Sequence, residues 1–135
     1  MKRHLIVAAA ALSLSLSACS LLGGVVDAAG EKVCPTLNAI KSQVATATES
    51  NGDKTAGDAL AGLDAIEAKL ETAKADAGEP GKVVIDRIES AITAASEPLT
   101  GVAPDTAVKD VPGVAEKQAK VKEAYDSVYS ELKCS

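Results

Sequence analysis

The clearest helical pattern of this chain lies at residues 114–132, VAEKQAKVKEAYDSVYSEL. Their core-facing positions recur at alternating steps of four and three residues, the heptad pattern of a helix packed along one seam. The members of this stripe are Val114, Gln118, Val121, Tyr125, Val128 and Leu132. The sequence therefore predicts a helix from Pro112 to Leu132, capped by Asp110, that buries one face against other helices.

The composition points to the same fold class. Alanine is the most frequent residue, and the chain has no Phe, no Trp and only two Tyr. Alanine has the highest helix propensity, whereas strands and their cores favour aromatic and β-branched side chains. We therefore expect an all-α protein whose helices have closely spaced axes.

Apolar residues at helical spacing predict three more helices, spanning residues 35–49, 55–77 and 82–96. Pro35 suits the first turn of a helix, and Thr55 with Asp58 forms a variant of the capping box. The sequence GEPG at 78–81 breaks the chain between the second and third helices, and Pro98 ends the third.

Residues 20–33 admit two interpretations. The pair Gly23-Gly24 favours a flexible tether. However, Val26, Ala29 and Val33 are helically spaced, which favours a helix that merges into the first one. We assign 19–33 as a tether and 34–135 as the bundle domain.

The N-terminus has the three parts of an export signal. Residues 1–4 carry positive charge, and residues 5–16 are largely apolar but too short to span a bilayer, which takes about 20 residues. The sequence Leu16-Ser17-Ala18-Cys19 resembles the lipobox of bacterial lipoprotein precursors. This resemblance implies removal of residues 1–18, a diacylglycerol and acyl lipid on Cys19, and attachment to the extracytoplasmic face of the cell membrane or the outer membrane.

With Cys19 carrying lipid, Cys34 and Cys134 remain. An even pair in an exported domain predicts a disulfide. In an up-down-up-down bundle of four helices, the start of the first helix and the end of the fourth lie at the same end. Three helices would separate the two cysteines by about 30 Å. We therefore predict a four-helix bundle closed by a Cys34–Cys134 disulfide.

The charge of the chain argues against nucleic acid as a partner. The full chain has a net charge of −5, and loss of Lys2 and Arg3 with the signal leaves 12 basic and 19 acidic residues, a net charge of −7. Such a surface repels phosphate backbones and anionic head groups. Membrane contact is therefore expected through the lipid anchor alone.

The residue types that catalysis needs are sparse. The single histidine, His4, leaves with the signal, so the mature domain has no imidazole for acid–base work or metal binding. Asp86 and Glu89 are spaced as a solvated helix face, and Ser130 with Lys133 matches a Ser-x-x-Lys motif by chance. We expect neither an enzyme nor a metal site, and no cofactor besides the lipid.

The connections at the end of the bundle away from the disulfide are the expected contact region. Asn51 and Asp53 lie in one of them. Tyr129, beside the heptad stripe, either contacts a partner or half-covers the core. We expect a non-catalytic binding module that holds or regulates another envelope protein. The alternatives are a carrier of an apolar ligand and an immunity or phage-exclusion lipoprotein.

Overall fold

The computed structural model describes residues 18–49 and 53–135, with side chains described from residue 27 onwards; apart from Ala18, the predicted signal lies outside this part. Its four α-helices are α1 (Ala18–Ala47), α2 (Ala56–Asp76), α3 (Gly78–Thr100) and α4 (Val114–Glu131). They pack as an up-down-up-down bundle, in which α3 contacts both α2 and α4. The predicted all-α bundle closed by the Cys34–Cys134 disulfide is confirmed.

The first helix is longer than predicted. α1 begins at Ala18, so the predicted start at Pro35 is wrong, and residues 20–33 adopt the helical alternative. Pro35 lies inside the helix on an exposed face. There its ring removes one backbone hydrogen bond and leaves the packed face of the helix intact.

Burial explains why the helix continues upstream of Pro35. Ala29 and Val33 are buried on the same stripe as Leu37. In proteins, most of the stability of a helix comes from packing such an apolar face rather than from propensity. The packed core therefore extends upstream at least to Ala29, beyond the boundary that we predicted at Cys34.

The second helix matches its prediction. The Thr55 hydroxyl accepts a 3.2 Å hydrogen bond from the Asp58 backbone N–H, and the Asp58 carboxylate accepts one of 3.4 Å from the Thr55 N–H. This reciprocal pair is the predicted capping box. On the predicted apolar stripe of α2, Leu63, Ile66 and Leu70 are buried and Leu60 is partly buried.

The ends of α3 and α4 differ from the prediction. α3 begins at Gly78, so residues 78–81 form its first turn instead of the predicted break, and it continues through Pro98 to Thr100, where Leu99 is buried. α4 is preceded by Gly113, whose φ of 78° is a left-handed conformation that favours glycine. Asp110 instead lies in a short 3-10 turn, Val108–Asp110, so the predicted cap is wrong.

The core is built from aliphatic side chains. Every member of the predicted heptad stripe of α4 is buried, including the polar Gln118. The largest fully buried side chains elsewhere are Leu37, Ile40, Leu63, Ile66, Leu70, Ile85, Ile88, Ile92 and Leu99. Tyr125 supplies the one aromatic ring among the buried residues that the structure describes.

Candidate functional site

The disulfide joins the two ends of the bundle domain. The Cα atoms of Cys34 and Cys134 lie 5.3 Å apart although the residues are 100 positions apart in the chain. Gly30, one turn upstream on α1, allows this approach, because a Cβ atom there would lie 2.9 Å from the carbonyl oxygen of Leu132. We call this the disulfide end; the connection between α2 and α3 also lies there.

The predicted lipidation site lies beyond the disulfide end. Cys19 is in the first turn of α1, and the helix continues from it to the core without a break. At about 1.5 Å per residue, Cys19 lies about 15 Å along the axis from Ala29. The chain therefore enters the bundle at the disulfide end, as a helix.

The opposite end, which we call the distal end, holds the α1–α2 and α3–α4 connections. Backbone hydrogen bonds join them: the N–H groups of Ala56 and Gly57 donate to the carbonyls of Thr106 and Pro104, at 2.8 and 2.9 Å. The Val108 N–H donates a 2.9 Å hydrogen bond to the carbonyl of Lys54 in the α1–α2 connection. The first amides of α2 are therefore already paired, and the two connections form one surface.

The predicted partner contacts do not form a single surface. Asp53 is exposed at the distal end, and Asn51 lies outside the described residues. Tyr129 is half-buried near the disulfide end, where its hydroxyl donates a 2.7 Å hydrogen bond to the side chain of Asn38. The Lys41 ammonium lies 5.2 Å from its ring centroid. These contacts agree with the alternative that Tyr129 flanks the core.

A groove between α1 and α2 lies in the distal half of the bundle and has a volume of about 340 Å³. We call it the α1–α2 groove; its lining residues are Ser42, Gln43, Thr46, Ala47, Lys54, Asp58, Gly62 and Ala65. None of them was predicted as a site residue. The local signal was Gly62, since glycine inside a helix costs about 1 kcal/mol relative to alanine.

The charged residues Asp86 and Glu89 on α3 are both paired with Lys74 on α2, whose Nζ lies 2.7 Å from the Glu89 carboxylate. The hydrogen bond from Lys74 lowers the pKa of Asp86, and the two carboxylates raise the pKa of Lys74. The carboxylates that we predicted as a solvated face therefore join two helices.

Two further properties concern the described residues. They contain no group of three or more histidine, cysteine, aspartate or glutamate side chains arranged to hold a metal ion. Nor is any of their helices both long and apolar enough to cross a membrane. Comparisons with protein-family models, curated proteins and solved structures found no match to this chain.

Proposed function

We propose that this protein is a lipid-anchored, non-catalytic binding module of the bacterial cell envelope. Its anchor would be Cys19, and its distal end would contact a protein partner. The observation that carries this proposal is the arrangement of the chain ends: the bundle is entered and closed at the disulfide end, which leaves the two joined connections at the other end. A module anchored through Cys19 presents the distal end away from the membrane.

The residue types support a role in binding rather than in catalysis. The lipobox resemblance at Leu16–Cys19 supports export and lipid attachment. The mature domain would contain no histidine, and its two cysteines are joined in a disulfide. The apolar-ligand carrier has less support, because the buried faces of the described helices pack against one another. The exclusion protein stays a hypothesis from the sequence.

The anchor is tested by Cys19→Ser in the producing cells. We expect the variant to move from the membrane fraction to the soluble fraction and to lose the mass of the acyl chains, because the anchor supplies the membrane affinity. The control is the double variant Cys34→Ser/Cys134→Ser, which keeps the anchor and stays in the membrane. If Cys19→Ser remains in the membrane with an unchanged acyl mass, the anchor proposal fails.

The partner surface is tested by photo-cross-linking in the same cells. A cross-linking residue at Asp105, exposed at the distal end, is compared with one at Glu79, exposed at the α2–α3 connection. We expect a discrete protein adduct from position 105 and none from position 79. Adducts from position 79 alone, or from neither position, would contradict the proposed orientation.

A further inference from the structure

The floor of the α1–α2 groove is apolar and shallow because its residues are small. Ala47 on α1 faces Gly62 on α2, where a Cβ atom would lie 3.3 Å from the Ala47 Cβ. Ala65 continues this floor one turn further along α2. A glycine and two alanines leave room at the surface for an aliphatic group of another molecule.

Two opposite charges line the same groove without neutralising each other. The Lys54 ammonium donates to the backbone carbonyl of Thr46, and the described residues place no carboxylate within ion-pair distance of it. The Asp58 carboxylate accepts hydrogen bonds from Thr55 through Oδ2. Lys54 has further N–H donors, and Asp58 has a second oxygen, for a ligand that carries both charges.

The wall of the groove also contains a polar atom without a partner. The side-chain oxygen Oε1 of Gln43 is buried and accepts no hydrogen bond from the described residues. A buried oxygen of this kind is unfavourable unless a donor reaches it. Gln43 lines the groove, so its unpaired oxygen can serve as an acceptor for a donor that is bound there.

We propose that the α1–α2 groove binds a free α-amino acid with an aliphatic side chain. The ligand carboxylate accepts hydrogen bonds from Lys54, its ammonium group donates to Asp58 and Gln43, and its side chain lies on the floor formed by Ala47, Gly62 and Ala65. The volume is at the lower end of the range for small-molecule sites, about 300–1,000 Å³, which suits a ligand of this size. This site requires neither the anchor nor a protein partner, so it goes beyond the proposed function.

The test uses the protein as its host processes it, purified with the disulfide intact and labelled with ¹⁵N. L-leucine, leucinamide and 4-methylpentanoate are titrated to about 10 mM, a range that detects millimolar dissociation constants. We expect leucine to shift amide signals of residues 42–47 and 54–65. Leucinamide lacks the carboxylate and 4-methylpentanoate lacks the ammonium group, so each should bind at least about tenfold more weakly.

Variants locate the site. Lys54→Gln should weaken leucine binding about tenfold by removing the cation, and Gly62→Leu should abolish binding by filling the floor. Lys69→Gln, an exposed position of α2 outside the groove, should leave the affinity unchanged. The proposal is overturned if leucine causes no shifts, if 4-methylpentanoate binds as tightly as leucine, or if Lys54→Gln binds normally. None of these outcomes affects the fractionation and cross-linking results that test the proposed function.

Discussion

The side-chain Nε2 of Gln118 donates a 3.0 Å hydrogen bond to the backbone carbonyl of Ala47, and so joins α4 to the last residue of α1 inside the core. The carbonyls in the last turn of a helix have no partner within the helix. Gln118 donates to one of these carbonyls, the buried carbonyl of Ala47. The Oε1 atom of Gln118 has no hydrogen-bond partner among the described residues. This polar member of an aliphatic stripe thus links α4 to the end of α1.

Gln118→Glu should reveal how completely this position is buried. At neutral pH the variant places a carboxylate beside a carbonyl oxygen, and we expect the free energy of unfolding to fall by about 3 kcal/mol or more. Burial raises the pKa of such a carboxyl in the folded state, so its neutral form is stable at low pH and stability is lost as pH rises. The stability difference from the unmodified protein should therefore shrink towards pH 4.

Urea unfolding from about pH 4 to about pH 8 measures this difference. Gln118→Leu is the matched control, because it also removes the donor to Ala47 but introduces no titratable group. A constant deficit across this range for Gln118→Glu would mean that the residue reaches solvent.

The buried faces of the helices could be predicted from sequence, because the spacing of apolar residues along the chain marks them. The stripe of α4 required no knowledge of its neighbours, and its members from Val114 to Leu132 are buried as expected. Helix ends were harder, since Pro35 is a local start signal and Pro98 a local stop signal, and packing overrides both. Ala29 and Val33 on one side, and Leu99 on the other, favour continuation of the helix by being buried.

The α1–α2 groove could not be predicted because its walls come from two helices. The sequence places Gln43 and Lys54 near different helix ends, and only the rotation of α1 against α2 brings them to one groove. Gly62 was the one local indication. The hydrogen bonds at the distal end were equally unpredictable, because backbone atoms form them, as between Ala56 and Thr106, and side chains carry no signal for them.

Removal of the disulfide should cost much of the stability of the bundle. Cys34 and Cys134 are 100 residues apart, and closing a loop of that length restricts the unfolded chain by about 4–5 kcal/mol in the chain-entropy model. We expect Cys34→Ala/Cys134→Ala to lower the free energy of unfolding by about this amount, measured by urea unfolding. The reduced unmodified protein is the control and should behave like the variant. An unchanged midpoint in both would mean that the bridge contributes nothing.

The close packing of the first turn of α3 against Ala77, the residue between α2 and α3, depends on Gly81. A Cβ atom at this buried position would lie 2.4 Å from the Cβ of Ala77. We expect Gly81→Ala to destabilise the protein by about 1–3 kcal/mol, because overpacking outweighs the higher helix propensity of alanine. Gly101→Ala is the control, since a Cβ atom there approaches the nearest atom, the carbonyl oxygen of Pro98, to only 3.8 Å. The control should be neutral or slightly stabilising, and equal losses in both variants would contradict this account.

Tyr125 should make the bundle sensitive to alkaline pH. Its hydroxyl donates a 2.7 Å hydrogen bond to the Leu37 carbonyl, and burial raises its pKa to about 12 from its ordinary value near 10. The unfolded chain therefore loses this proton first, so the contribution of Tyr125 to stability is complete below about pH 10 and is lost as pH rises towards about 12.

Tyr125→Phe should cost about 1 kcal/mol at neutral pH and should show a smaller loss of stability between about pH 8 and about pH 11. Tyr129→Phe, which removes an exposed hydroxyl, should cost less at neutral pH. If Tyr125→Phe loses stability with pH as steeply as the unmodified protein, then Tyr125 does not cause the alkaline transition.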